Sequence, residues 1–164
     1  MTIAELNRLD RAAFVEAVGW TFEDSPWVAE RAFDARPFAD LDALHAAMTE
    51  QVEHATFAEC LALLQAHPDL GARANLSPAS TEEQAGAGLD TLTPGEFEQL
   101  HRLNAAYRNR FRFPFLLAVK GSTKQDILRA LQARIESSPE DEYREALRQV
   151  SRIARFRLEG LIGS

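Results

Sequence analysis

The sequence predicts an all-α fold: one multi-helix domain of about eight helices over residues 1–164. Helix-start signals recur at short intervals, the apolar residues between them follow helical spacing, and no run shows the alternation of a half-buried strand. A chain of 164 residues is long enough to bury one core and short for two.

The elements follow in order. Thr2 with Glu5 has the spacing of a capping box, and Ser25–Pro26 puts proline in the first turn of a second start. Leu41, Leu44, Met48 and Val52 make an apolar stripe. A box at Thr56 and Glu59 opens another, with Phe57, Cys60, Leu61 and Leu64. Residues 67–80, "HPDLGARANLSPAS", are rich in breakers and read as an irregular connection. Ser80 with Glu83 reads as a third capping box, with Ser80 as N-cap. Thr93–Pro94 with Glu96 opens the helix of Leu100, Leu103 and Tyr107. Residues 111–121, "FRFPFLLAVKG", are apolar but interrupted by Pro114, which biases Phe113 to extended backbone and leaves amides without helix partners. Ile127, Leu128, Leu131 and Ile135 mark the next helix, and Ser138–Pro139 starts the last.

Composition excludes several classes. A net charge of −7 argues against a nucleic-acid or anionic-membrane surface, both of which need a cationic footprint. The single cysteine, Cys60, lies in an apolar helical stretch and reads as a buried small hydrophobe in a reducing compartment. No stretch approaches the roughly 20 apolar residues of a membrane span, and the first residues do not read as a secretory signal. The last residues carry no Ser-Lys-Leu peroxisomal address, so a cytoplasmic location is expected. His45, His54 and His101 lie on ordinary helical faces without a second histidine one turn away, so no metal site is expected. There is no glycine-rich phosphate loop and no serine nucleophile elbow.

Three places break a local rule. In the last helix an apolar seam runs Tyr143, Leu147, Val150, Ala154 and Leu161, and its missing member is Arg157. A cation on a buried face needs a partner. That partner is either an internal carboxylate or an anionic ligand, which the planar guanidinium fork also suits. Ser80, Glu83 and Gln84 in "STEEQAGAGL" are either capping residues or a polar wall beside small residues that let a ligand approach. His67 stands where a leucine-rich helix must stop before Pro68 and Gly71. It is either a helix-terminal residue meeting free carbonyls or a group that moves protons near neutral pH.

The segments "HPDLG", "STEEQAGAGLD", "LNAAYRNRFRFPFLLAVKG" and "RIARFRLEGLI" together resemble the 2-oxo-4-hydroxy-4-carboxy-5-ureidoimidazoline (OHCU) decarboxylases of uric acid degradation. The resemblance covers about Phe57 to the C-terminus, with a looser fit before it. It implies an all-helical, cofactor-free carboxy-lyase, usually a homodimer, that forms S-allantoin and carbon dioxide from its small-molecule substrate. By the same resemblance His67 and Glu83 are the catalytic residues. Pro68, Ser80, Gln84 and Arg157 bind substrate, together with the backbone of Phe115, Leu116, Leu117, Ala118 and Val119. One departure is Arg112, where many relatives have glycine. Two competing readings stay open: a non-catalytic helical interaction module in which Arg157 and Glu83 form an internal ion pair, and a hydrolase of a related ureide.

Overall fold

The structure is a computed structural model that describes residues 1–72 and 76–162. Among them are nine α-helices, two short 3₁₀ turns (19–21 and 33–35) and no strand. The helices are α1 (Ile3–Arg8), α2 (Arg11–Val18), α3 (Trp27–Ala32), α4 (Leu41–Glu53), α5 (Phe57–Gln65), α6 (Pro78–Gly86), α7 (Pro94–Phe111), α8 (Lys124–Arg134) and α9 (Pro139–Leu161). The expected all-α class holds. No described helix is long and apolar enough to cross a membrane.

The chain groups into two compact units, Met1–Ala66 with Ser151–Ser164, and His67–Val150. In the first, α3 packs on α4, and the core holds Leu6, Phe14, Val28, Leu44, Met48 and Leu63, all out of water. Cys60 is buried as expected, its thiol donating to the carbonyl of Val52. Phe57 is 65% exposed, against its place in the sequence stripe: it is the first residue of α5, at the edge of the face that Cys60, Leu63 and Leu64 bury. In the second unit the ring of Tyr107 packs against Phe111, Phe113 and Phe115, with Ile127 and Leu131 of α8 buried as predicted.

The boxes at Thr2, Thr56 and Thr93 form as read, and Thr123 with Asp126 makes another. The box at Ser80 does not. The N-cap of α6 is Ser77, whose hydroxyl accepts from the Ser80 amide, because Pro78 directly after it supplies the first helical φ. Ser80 is therefore the third helical residue and is buried, and Glu83 lies a turn further on.

The seam of α9 is buried as read at Val150, Ala154 and Arg157, and departs from the reading in its first half and at Leu161. Its buried positions are Glu142, Ala146, Gln149, Val150, Ala154, Arg157 and Leu158, while Tyr143, Leu147 and Leu161 are partly exposed. An apolar count misplaces the stripe because Glu142 and Gln149 are polar residues with buried partners. The first irregular segment begins at His67 as read but is shorter than 67–80, because α6 starts at Pro78; the second lies where Pro114 puts it, with no helix over 112–123. Residues 73–75 of the first segment lie outside the described residues.

Candidate active site

His67 follows the last turn of α5, one residue after the cap residue Ala66, and is 6% exposed. Behind it Pro68 is partly buried, and residues 69–72 form a tight turn closed by the Ala72 amide on the Asp69 carbonyl, 3.1 Å. Gly71 occupies its third position with φ +81°, the conformation a type II turn demands and side chains resist. A Cβ there would also stand 2.6 Å from Leu100 Cδ2.

The turn is held on three successive residues. Arg108 Nη2 donates to Asp69 Oδ1 (2.8 Å), Asn104 Nδ2 donates to the Leu70 carbonyl (2.9 Å), and the Gly71 amide donates to Gln84 Oε1 (2.8 Å). Gln84, at 6% exposure, thus ties α6 to the turn behind His67. Ser80 is buried one turn before it on the same helix, and Glu83 is partly buried beside it.

The segment from Phe113 to Val119 is buried except at Leu117, and it is braced by α8 and α9. Arg134 Nη1 donates to the Leu116 carbonyl, and the Ala118 amide donates to Gln149 Oε1 (2.9 Å). Arg134 lies over the ring of Phe115, 4.6 Å from guanidinium carbon to ring centre, and its Nε donates to Glu142 Oε1 at 2.6 Å. The Tyr107 hydroxyl donates to that same oxygen. Burial, and then the Glu142 carboxylate, push the Tyr107 phenol far above its ordinary value of 10.0. The amides that sequence reasoning left for a ligand are therefore partly engaged: that of Ala118 belongs to Gln149.

Arg157 belongs to the first unit. Its Nη1 lies 2.7 Å from Glu23 Oε2, with side chains 3% and 5% exposed, and within 3.4 Å of the carbonyls of Trp20 and Thr21. Glu23 supplies a carboxylate to it within the same unit.

Sequence reasoning missed five of these residues: Glu23, Asn104, Arg134, Glu142 and Gln149. Asn104 could have been found, because it lies four residues after Leu100 and three before Tyr107, inside a buried stripe. Glu142 and Gln149 become visible once α9 is phased on Ala146 and Ala154 instead of Tyr143 and Leu147. Among the described residues no group of three or more His, Cys, Asp or Glu gathers as a metal site would require.

The family model described as OHCU decarboxylase matches residues 7–159. The chain is 47% identical over 158 residues to the 2-oxo-4-hydroxy-4-carboxy-5-ureidoimidazoline decarboxylase of Haloferax volcanii, covering 96% of this chain and 94% of the relative. To the protein of the same name from Halalkalicoccus jeotgali it is 45% identical over 161 residues, 98% and 92%. A crystal structure of (S)-allantoin synthase superposes with a TM-score of 0.80 at 33% identity, over 99% of this chain and 54% of that one. With a family model matched along nearly its whole length and relatives this similar from end to end, the chain belongs to the OHCU decarboxylase family.

Proposed function

We propose that this protein decarboxylates 2-oxo-4-hydroxy-4-carboxy-5-ureidoimidazoline to S-allantoin and carbon dioxide, the third step from urate to allantoin. The similarity along the full chain to the decarboxylases of Haloferax volcanii and Halalkalicoccus jeotgali carries this reading. The homodimer and the cytoplasmic setting implied by the resemblance belong to the same proposal.

The chemistry suits the residue types. Breaking the bond to the carboxylate releases carbon dioxide and leaves two electrons on the carbon that bears the hydroxyl. They form a double bond to the neighbouring ureido carbon, whose C=N pair moves onto nitrogen, and that nitrogen takes a proton. The hydroxyl then loses its proton as its oxygen becomes a carbonyl, and the ureido carbon gains one on a single face. The ring imine is itself the electron sink.

In this reading His67 delivers the proton to the ureido carbon and sets the stereochemistry, and Glu83 takes the hydroxyl proton. Pro68 shapes the wall beside the imidazole, and Ser80 adds a hydroxyl to the polar side. Gln84, whose Oε1 holds Gly71, meets ring or ureido oxygens with its amino group. Phe115, Leu116, Leu117, Ala118 and Val119 contact the ring through the backbone. Arg157 neutralises the anionic substrate without opposing departure of the carboxylate.

One assay tests the function. The fresh product of urate oxidase and hydroxyisourate hydrolase is mixed with the protein and followed by circular dichroism. Rapid formation of one allantoin enantiomer is expected. Slow racemic allantoin at the uncatalysed rate would leave the interaction module, and ureide cleavage without loss of carbon dioxide would leave the hydrolase.

A further inference from the structure

The peptide between Leu70 and Gly71 is gripped from both sides. Its carbonyl accepts from Asn104 Nδ2 and its amide donates to Gln84 Oε1, so two side-chain carboxamides hold the two polar ends of one peptide unit. That unit is the central peptide of the turn behind His67. Turning it over would convert the turn to a type with negative φ at its third residue, and would break both bonds at once. The two ties fix the plane of the peptide as well as its position.

The gripping face of α7 has a simple sequence basis. Leu100, Asn104 and Arg108 are four residues apart and therefore lie along one side of the helix. Leu100 abuts Gly71, Asn104 binds Leu70 and Arg108 binds Asp69. The three contacts are not equal. The Arg108–Asp69 pair is 44% and 40% exposed, where such pairs contribute little. Asn104 is 5% exposed and Leu70 8%, so their bond is made away from water.

Asn104 is also a poor choice for stability alone. Its Oδ1 is buried with no hydrogen-bond partner among the described residues, and an acceptor left so is unfavourable. An apolar residue of the same shape would remove that penalty. What the carboxamide supplies instead is the donor to Leu70.

We propose that Asn104 is a positioning residue for His67: through the Leu70 carbonyl it fixes the 69–72 turn that directly follows His67 and Pro68. The inference rests on the reading of His67 as the proton donor. The imidazole must address one face of one carbon, and small misplacements of a reacting group are expensive in rate.

The test uses Asn104→Leu, which keeps the shape and deletes the donor. It also uses Asn104→Asp, which presents an oxygen to the Leu70 carbonyl and regains a donor only when its carboxyl is protonated. Both are assayed below their melting temperatures beside His67→Asn. For Asn104→Leu the expected result is a kcat lower by about 10- to 100-fold, a KM within about threefold of the parent, and a reduced enantiomeric excess of allantoin. For Asn104→Asp the ratio of its kcat to that of the parent should rise as pH falls. Parental kcat and enantiomeric excess in Asn104→Leu overturn the proposal. So does a raised KM with unchanged kcat, which makes Asn104 a direct substrate contact, and so does failure of both variants to fold. If His67→Asn itself retains near-parental turnover, the underlying reading falls; if only Asn104→Leu does, that reading stands without the positioning role.

Discussion

Arg157 and Glu23 form a buried ion pair, Nη1 to Oε2 at 2.7 Å, between groups 134 residues apart in sequence. Arg157→Met would restore an apolar side chain, and an arginine kept only for a ligand could be replaced this way without loss of stability. The pair reverses that expectation, because methionine takes away the guanidinium that the buried Glu23 carboxylate faces. Breaking a buried pair costs roughly 3–5 kcal/mol, which lowers the melting temperature of a domain this size by about 6–20 °C. Adding Glu23→Leu should recover most of that loss, and melts of the two single variants and the double variant measure it. An additive double variant would show that the pair carries no coupling.

His67→Asn removes the proposed proton donor and keeps a polar side chain. Turnover should fall by about 10² to 10⁴, and residual product should approach racemic. Initial rates and the ellipticity of the allantoin formed check both parts together.

Glu83→Gln separates proton handling from helix capping. Ser77 caps α6 and Glu83 lies beyond the first turn, so losing its charge removes no cap. The melting temperature should hardly move, while turnover falls by a similar order to the histidine variant. Full activity would confine Glu83 to structure.

Arg112 sits at the end of α7 with φ +69°, ψ +16°, its amide on the Arg108 carbonyl. This is the left-handed position where glycine is at ease and side chains are strained by about 1–2 kcal/mol. Arg112→Gly should raise stability by up to about 1 kcal/mol, read as a higher denaturant midpoint with an unchanged slope.

Stability should fall away at both ends of the pH scale. Arg31 foremost, then the Thr56 amide, lower the Glu59 carboxyl from 4.5 to about 2. Below pH 4.5 the unfolded chain binds this proton and the folded chain does not. The stabilisation is therefore full above that pH and is lost as pH falls towards about 2. Tyr107 acts in the opposite sense. Its raised folded value means that above about pH 10 only the unfolded chain releases the proton, so stability declines as pH rises. Denaturant midpoints across pH should flatten at the acid end in Glu59→Gln and at the alkaline end in Tyr107→Phe.

Helix starts were legible because a cap is a local device. Thr56 with Glu59 and Thr93 with Glu96 need only their own backbone. Ser80 was misread because the signal is degenerate, and Pro78 moves the start to Ser77. His67 and Arg157 were legible as anomalies, since each breaks a pattern where it stands. Asn104 is marked only as a polar residue inside a buried stripe, and Glu23 and Gln149 carry no mark in the seams as read. Their meaning is a partner 34, 134 and 31 residues away, and only the fold brings those partners within hydrogen-bond distance. The first half of the α9 seam failed for the same reason: Glu142 is buried because Tyr107 and Arg134 receive it.

The first unit joins Met1–Ala66 to Ser151–Ser164, which follow it only after the whole second unit. A ribosome delivers Glu23 134 residues before Arg157, so the carboxylate waits for that guanidinium while the stretch between them is made. Domains usually finish in the order in which they emerge. Here Met1–Ala66 cannot close over Glu23 until Ser151 and its successors arrive, whereas His67–Val150 is contiguous and already complete. The half that begins first should be the last to mature. A stalled nascent chain ending near Val150 should present Met1–Ala66 to proteases while the stretch from His67 onward resists them.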